Sequence, residues 1–93
     1  MTKITLTGHI MVPHQDLNQV QQALPEHMKL TQEEKGCLAF KVTQNVHNPL
    51  RFEVYEEFID QAAFDLHQAR VKTSHWGQVT HNVERFYSVS QGK

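Results

Sequence analysis

The sequence predicts an α+β domain with the element order β-α-β-β-α-β. This is the ferredoxin-like split pattern, a four-stranded antiparallel sheet with two helices on one face. Three observations carry the prediction. Stretches 3–12, 37–46, 51–58 and 82–90 alternate apolar with polar residues or are rich in β-branched and aromatic side chains. Stretches 15–34 and 61–70 place apolar residues at helical spacing. No linker, repeat or low-complexity segment interrupts them, so residues 1–93 read as one domain.

In the first strand, 3–12, Ile4, Leu6, Ile10 and Val12 share one face. Thr5, Thr7, His9 and Met11 share the other, Gly8 breaks the apolar face, and Pro13 ends the run. In 15–34, Leu17, Val20, Leu24 and Met28 form a stripe. Pro25 removes a backbone donor inside it and predicts a kink or two helical pieces. Gly36 is a natural left-handed cap. The second strand, 37–46, puts Leu38, Phe40 and Val42 on one face, and Asn48-Pro49 marks a hairpin turn. The third strand is 51–58. Asp60 stands where a helix N-cap belongs, and Ala63, Phe64, His67 and Val71 follow on one helical face. A short helical piece over 73–80 and a last strand over 82–90 complete the order.

The hydrophobic fraction is 39%, the charged fraction 20% and the net charge −1. These values describe a globular chain without the basic run that nucleic acid or an acidic membrane would require. Cys37 is the single cysteine, which excludes an internal disulfide framework and fits a reducing compartment. No apolar run reaches membrane-spanning length and the N-terminus does not read as a signal peptide, so a cytoplasmic location is expected. The seven histidines lack zinc-type spacing, and no metal or cofactor motif appears. Two helices cover one sheet face. The other, with Thr5, Thr7, His9, Met11, Ala39, Lys41, Glu53, Tyr55 and Glu57, is too mixed for a core and too aromatic for plain solvent. A homodimer with facing sheets is the expected solution.

Several residues carry a resemblance over the whole chain. They are Glu34-Lys35-Gly36-Cys37-Leu38, Pro49, Arg51-Phe52, Tyr55-Glu56-Glu57-Phe58-Ile59-Asp60, Ala62-Ala63-Phe64, His67 and Ser74-His75-Trp76. The chain resembles the antibiotic-biosynthesis monooxygenase family of dimeric α+β barrels. The resemblance implies cofactor-independent quinol oxidation, isomerisation of the phosphorylated autoinducer-2 signal, or haem degradation. Tyr55-Glu56, Asp60 and His67 look most like the isomerase and quinol-oxidising members. The haem degraders match less well, with His9 about where an Asn is expected, His67 about where a Trp is, and His75 near the haem ligand.

His67 is the leading candidate, an ionisable ring on a buried stripe and a suitable general base; its alternative is a packed histidine on a backbone carbonyl. Tyr55 projects opposite Phe52, Val54 and Phe58, which predicts that it faces a cavity and binds a phenolic or keto oxygen; its alternative is an interface aromatic. Glu56 alternates with the apolar residues, so its carboxylate needs a partner, with Arg85 or Lys41 available, or moves protons. His75 and Trp76 are expected at a cavity mouth, Trp76 as a stacking wall or simply as core. His9, Asp60 and Arg51 complete the candidate substrate contacts. The leading functional expectation is a cofactor-independent monooxygenase of a dihydroxyaromatic or quinol, in a pocket between sheet and helices. The alternatives are an isomerase of a small keto sugar phosphate and a non-catalytic small-molecule-binding dimer.

Overall fold

Alternation decides the sheet. A computed structural model describes residues 2–92. It contains β1 (Lys3–Met11), a 3-10 turn (His14–Asp16), α1 (Leu17–Gln32), β2 (Cys37–Gln44), β3 (Arg51–Phe58), α2 (Gln61–Lys72), α3 (His75–Val79) and β4 (Glu84–Gly92). The strands pair antiparallel in the order β2-β3-β1-β4. The fold is ferredoxin-like α+β. No helix among the described residues is long and apolar enough to cross a membrane.

The register lays Ile4 beside Phe58, Leu6 beside Glu56 and Ile10 beside Phe52. Ile4, Leu6, Ile10, Phe52 and Phe58 are each no more than 3% exposed beneath the helices. Full burial of such a side chain contributes about 2–3 kcal/mol. Gly8 lies between β3 and β4, with φ +150°, and a Cβ there would sit 2.0 Å from the Phe86 carbonyl oxygen. Only glycine allows β4 to approach β1 this closely.

α1 buries Val20, Ala23, His27 and Thr31, while Leu17, Leu24 and Met28 flank the core half-buried. The buried face is thus rotated from the predicted leucine-rich stripe. Pro25 does not split the helix. It stands on the exposed side, where water can take the carbonyl that its missing N–H leaves free. β4 starts two residues later than predicted, because the Val83 amide bonds the Thr80 carbonyl at 3.1 Å and extends the turn after α3.

Two devices set α2 on the sheet. The Asp60 carboxylate accepts the Ala63 amide proton at 2.8 Å, capping the helix. Gly36, at φ +111°, lets the start of β2 pass Ala63, where a Cβ would approach to 2.7 Å. α2 therefore buries Phe64 and His67 against β3.

Candidate active site

His67 comes from the middle of α2 and is 2% exposed. Its Nδ1 lies 2.8 Å from Glu34 Oε1. A carboxylate only accepts, so Nδ1 carries the proton and Nε2 presents its lone pair. Glu34 sits just beyond α1 and is held in turn by the Arg70 guanidinium, which also donates to Thr31 Oγ1 at 3.0 Å. A base oriented by a hydrogen-bonded carboxylate is an arrangement that general-base sites use.

On the other side of the ring, Nε2 faces Glu56 Oε1 at 3.7 Å. Glu56 projects from β3 among apolar neighbours and is 6% exposed, and Oε1 has no hydrogen-bond partner. Burial, reinforced by the Glu34 charge, pushes its carboxyl up to about 7. Burial lowers the His67 imidazole; the Glu34 charge and hydrogen bond work against that. Near neutrality the pair therefore comprises a neutral base and a carboxyl poised to give or take a proton.

Both groups open on a cavity of about 160 Å³, lined also by His27, Trp76, Arg85 and Tyr87. Cavities of roughly 150 Å³ accept a benzene-sized ring. Trp76 and His27 stack face to face, with ring centroids 4.5 Å apart and planes within 2°. Burial, then the charges of His67 and Arg70, press the His27 imidazole down to about 3, so it is neutral.

The structure brings His67, Glu56 and Trp76 together and leaves the other predicted site residues outside this cavity. Tyr55 lies on the outer face of the sheet, as alternation predicts, 38% exposed with its hydroxyl on Glu57; the expectation that it shares a cavity with His67 is corrected. Strand alternation sends it away from the helices that carry His67. His9, on the same outer face, stacks on Phe86 at 4.7 Å. Arg51 is turned to Glu53, its Nε 2.5 Å from Oε2. Asp60 spends its carboxylate on the helix cap. His75 borders an open groove between α1 and α3 with Gln19, Gln22 and Glu26. The partners predicted for Glu56 are also corrected. Lys41 pairs in register with Tyr55, a position on the outer face, and Arg85 donates to the Thr80 carbonyl and hydroxyl at 3.2 and 3.1 Å.

Sequence reasoning missed His27 and Glu34. His27 had a signal, its place seven residues after Val20 and four before Thr31 on the buried face. Glu34 stood among the residues that carry the family resemblance, but nothing in its local pattern marks it as the partner of His67.

This geometry can be set beside known proteins. Residues 3–79 match the family described as antibiotic biosynthesis monooxygenase. The chain belongs to that family. Among solved structures it is similar to a conserved protein of unknown function and possible oxidoreductase from Bacteroides thetaiotaomicron, with 18% identity, 97% of each chain covered and a TM-score of 0.75. It is also similar to a conserved protein from Methanosarcina mazei, with 19% identity over 100% of this chain and 95% of that one and a TM-score of 0.76. An antibiotic biosynthesis monooxygenase shares 22% identity over 100% and 97% of the two chains, at a TM-score of 0.69. At these identities the likeness is one of fold. The curated proteins give no match.

Proposed function

We propose that the chain is a cofactor-independent monooxygenase of a small dihydroxyaromatic or quinol, with His67 as the general base. The observation that carries this reading is the Glu34–His67–Glu56 chain at the wall of a ring-sized cavity. Glu34 holds the Nδ1 proton, so Nε2 is free to take a phenolic proton. The resulting anion is electron-rich enough to reduce dioxygen, giving a substrate radical and superoxide that combine at a ring carbon. Loss of that carbon's hydrogen as a proton then breaks the O–O bond. One oxygen stays on the ring as a keto group and the other leaves as water, so a dihydroxyaromatic and dioxygen give a hydroxyquinone and water. The departing oxygen needs a proton, and the Glu56 carboxyl is the group placed to supply it. The stacked Trp76–His27 pair lines the space the ring occupies.

The test is oxygen uptake with a panel of quinols, beside a protein-free blank. His67→Ala should lower the protein-dependent rate by about 10²–10⁴-fold, the usual loss of a general base. Uptake no faster than autoxidation for every quinol would refute the reading.

A second reading, isomerisation of a small keto sugar phosphate, draws on the same acid–base pair, with Arg85 as the one cation on the cavity wall among the described residues. Solvent deuterium entering a sugar phosphate, with no oxygen consumed, would favour it.

We also propose a homodimer joined through the outer sheet face, in the cytoplasm. Phe86, 48% exposed and stacked on His9, and Tyr55 give that face the apolar content a second copy would cover. Members of this family are typically dimeric. Monomer mass on sedimentation would refute the pairing.

A further inference from the structure

Among the described residues, two buried side-chain polar atoms have no hydrogen-bond partner, His27 Nδ1 and Glu56 Oε1. His27 is 5% exposed and Glu56 6%. Both residues line the same cavity, the one His67 faces. An unmade buried hydrogen bond is costly, and native chains keep few of them. Two on one cavity are explained together if an occupant completes both.

The surroundings restrict that occupant. Trp76 and His27, stacked on each other, give the cavity an aromatic lining that suits an aromatic ring. The cations nearby are committed: Arg70 to Glu34 and Thr31, Arg85 to Thr80 and, at 3.4 Å, the Val83 carbonyl. Arg85 is the one cation on the wall among the described residues, its guanidinium is already turned to those acceptors, and an ionised Glu56 would repel a carboxylate or phosphate. His27 is neutral and can share a hydrogen bond with a hydroxyl or keto oxygen.

We infer that His27 is a second substrate contact, and that the cavity takes an uncharged ring bearing two oxygen substituents, one held by His67 and Glu56 and the other by His27. The inference rests on the cavity being the substrate site proposed above, and it adds a specificity residue and a charge rule to it. A ring with one oxygen leaves His27 unpaired, and a ring with an anionic substituent meets the Glu56 charge and a guanidinium already turned to Thr80 and Val83.

The experiment measures binding without turnover. Hydroquinone, phenol and 4-hydroxybenzoate are titrated calorimetrically under argon into the full chain. Emission from Trp76, the single tryptophan, reports whether the ligand reaches this wall. Hydroquinone should bind about tenfold tighter than phenol, the worth of one hydrogen bond, and 4-hydroxybenzoate should bind weakest. His27→Phe keeps a ring on Trp76 and removes the nitrogens. It should reduce the hydroquinone preference to about nothing and leave phenol binding near its original strength. If that variant does not fold, the nitrogen NMR shifts of the His27 ring in the unaltered chain decide: they should move on adding hydroquinone and stay in place on adding phenol, and shifts that do not move with hydroquinone would overturn the inference. Equal affinity for phenol and hydroquinone, a preference that survives in His27→Phe, or no ring that binds and quenches Trp76 would each overturn the inference. Binding with the expected preference but no oxygen uptake on admitting air would refute the oxygenase reading and leave the role of His27 standing.

Discussion

Glu56→Gln tests the electrostatics of the cavity without reference to any substrate. The amide has the shape of a protonated carboxyl and cannot ionise. Below about pH 4.5, the ordinary value for Glu, the wild-type carboxyl is protonated in both folded and unfolded chains, and the two proteins should be about equally stable. As pH rises, the unfolded carboxyl ionises, while the folded one keeps its proton until about 7. The unfolded wild type thus binds fewer protons than the folded, and wild-type stability falls through this window. A rise from 4.5 to about 7 corresponds, at about 1.4 kcal/mol per pH unit, to about 3–4 kcal/mol in full. Roughly 2–3 kcal/mol of it should develop between pH 5 and pH 8. Urea unfolding of both proteins at these two pH values, at one protein concentration, reads the difference. Glu56→Gln should be the more stable at pH 8 by about that amount, with most of the advantage gone at pH 5. His27 titrates in both chains and cancels in the comparison. An advantage that does not change with pH, or that grows toward acid, would refute the argument that Glu56 is buried without a compensating cation.

Three further outcomes follow from the same geometry. Glu34→Gln removes the charge that raises His67, so the acid limb of any His67-dependent rate should move to lower pH; a limb that stays in place in a pH–rate profile would separate Glu34 from the base. Asp60→Ala deletes the cap of α2 and should cost about 1 kcal/mol in urea unfolding without changing ligand selectivity; altered ring selectivity would return Asp60 to the site. Tyr55→Phe should leave oxygen uptake within about threefold of wild type, because the hydroxyl is across the sheet from His67; a loss on the order of the general-base effect would show that the outer face takes part in the chemistry.

The sheet was readable because strand period is strict. β3 begins at Arg51 and ends at Phe58 as the pattern predicts, and Glu56 stands out by sharing a face with Phe52, Val54 and Phe58. The same rule should have separated Tyr55 from His67, since adjacent strand positions face opposite ways and α2 lies on one side only. The helix was harder. Leu17, Leu24 and Met28 outrank Ala23, His27 and Thr31 in apolar character, yet the latter point at the sheet. Small and polar residues there leave room for the rings of Trp76 and Phe40, which meet His27 at 4.5 and 5.2 Å. Glu34 belongs to the site through a contact with a residue 33 positions away, and no local pattern encodes such a contact.

The two unpaired groups also bear on why the site is costly to keep empty. Glu56 lowers stability as pH rises above its ordinary 4.5, and His27 lowers it as pH falls below its ordinary 6.5, because the folded chain keeps His27 neutral down to about 3 while the unfolded chain takes up a proton. The two losses have opposite pH dependence, so between 4.5 and 6.5 one grows as the other shrinks and the empty cavity costs stability throughout. A core built for stability alone would place apolar residues at both positions, and neither backbone position resists that, since one is a strand site and the other a helix site. Each group leans on the other's presence only through what lies between them. A neutral ring with oxygens at both ends satisfies Glu56 and His27 at once, whereas no change in a neighbouring side chain does so without filling the space. The stability cost and the ring-sized space are thus one feature, and it points to an occupant rather than to packing.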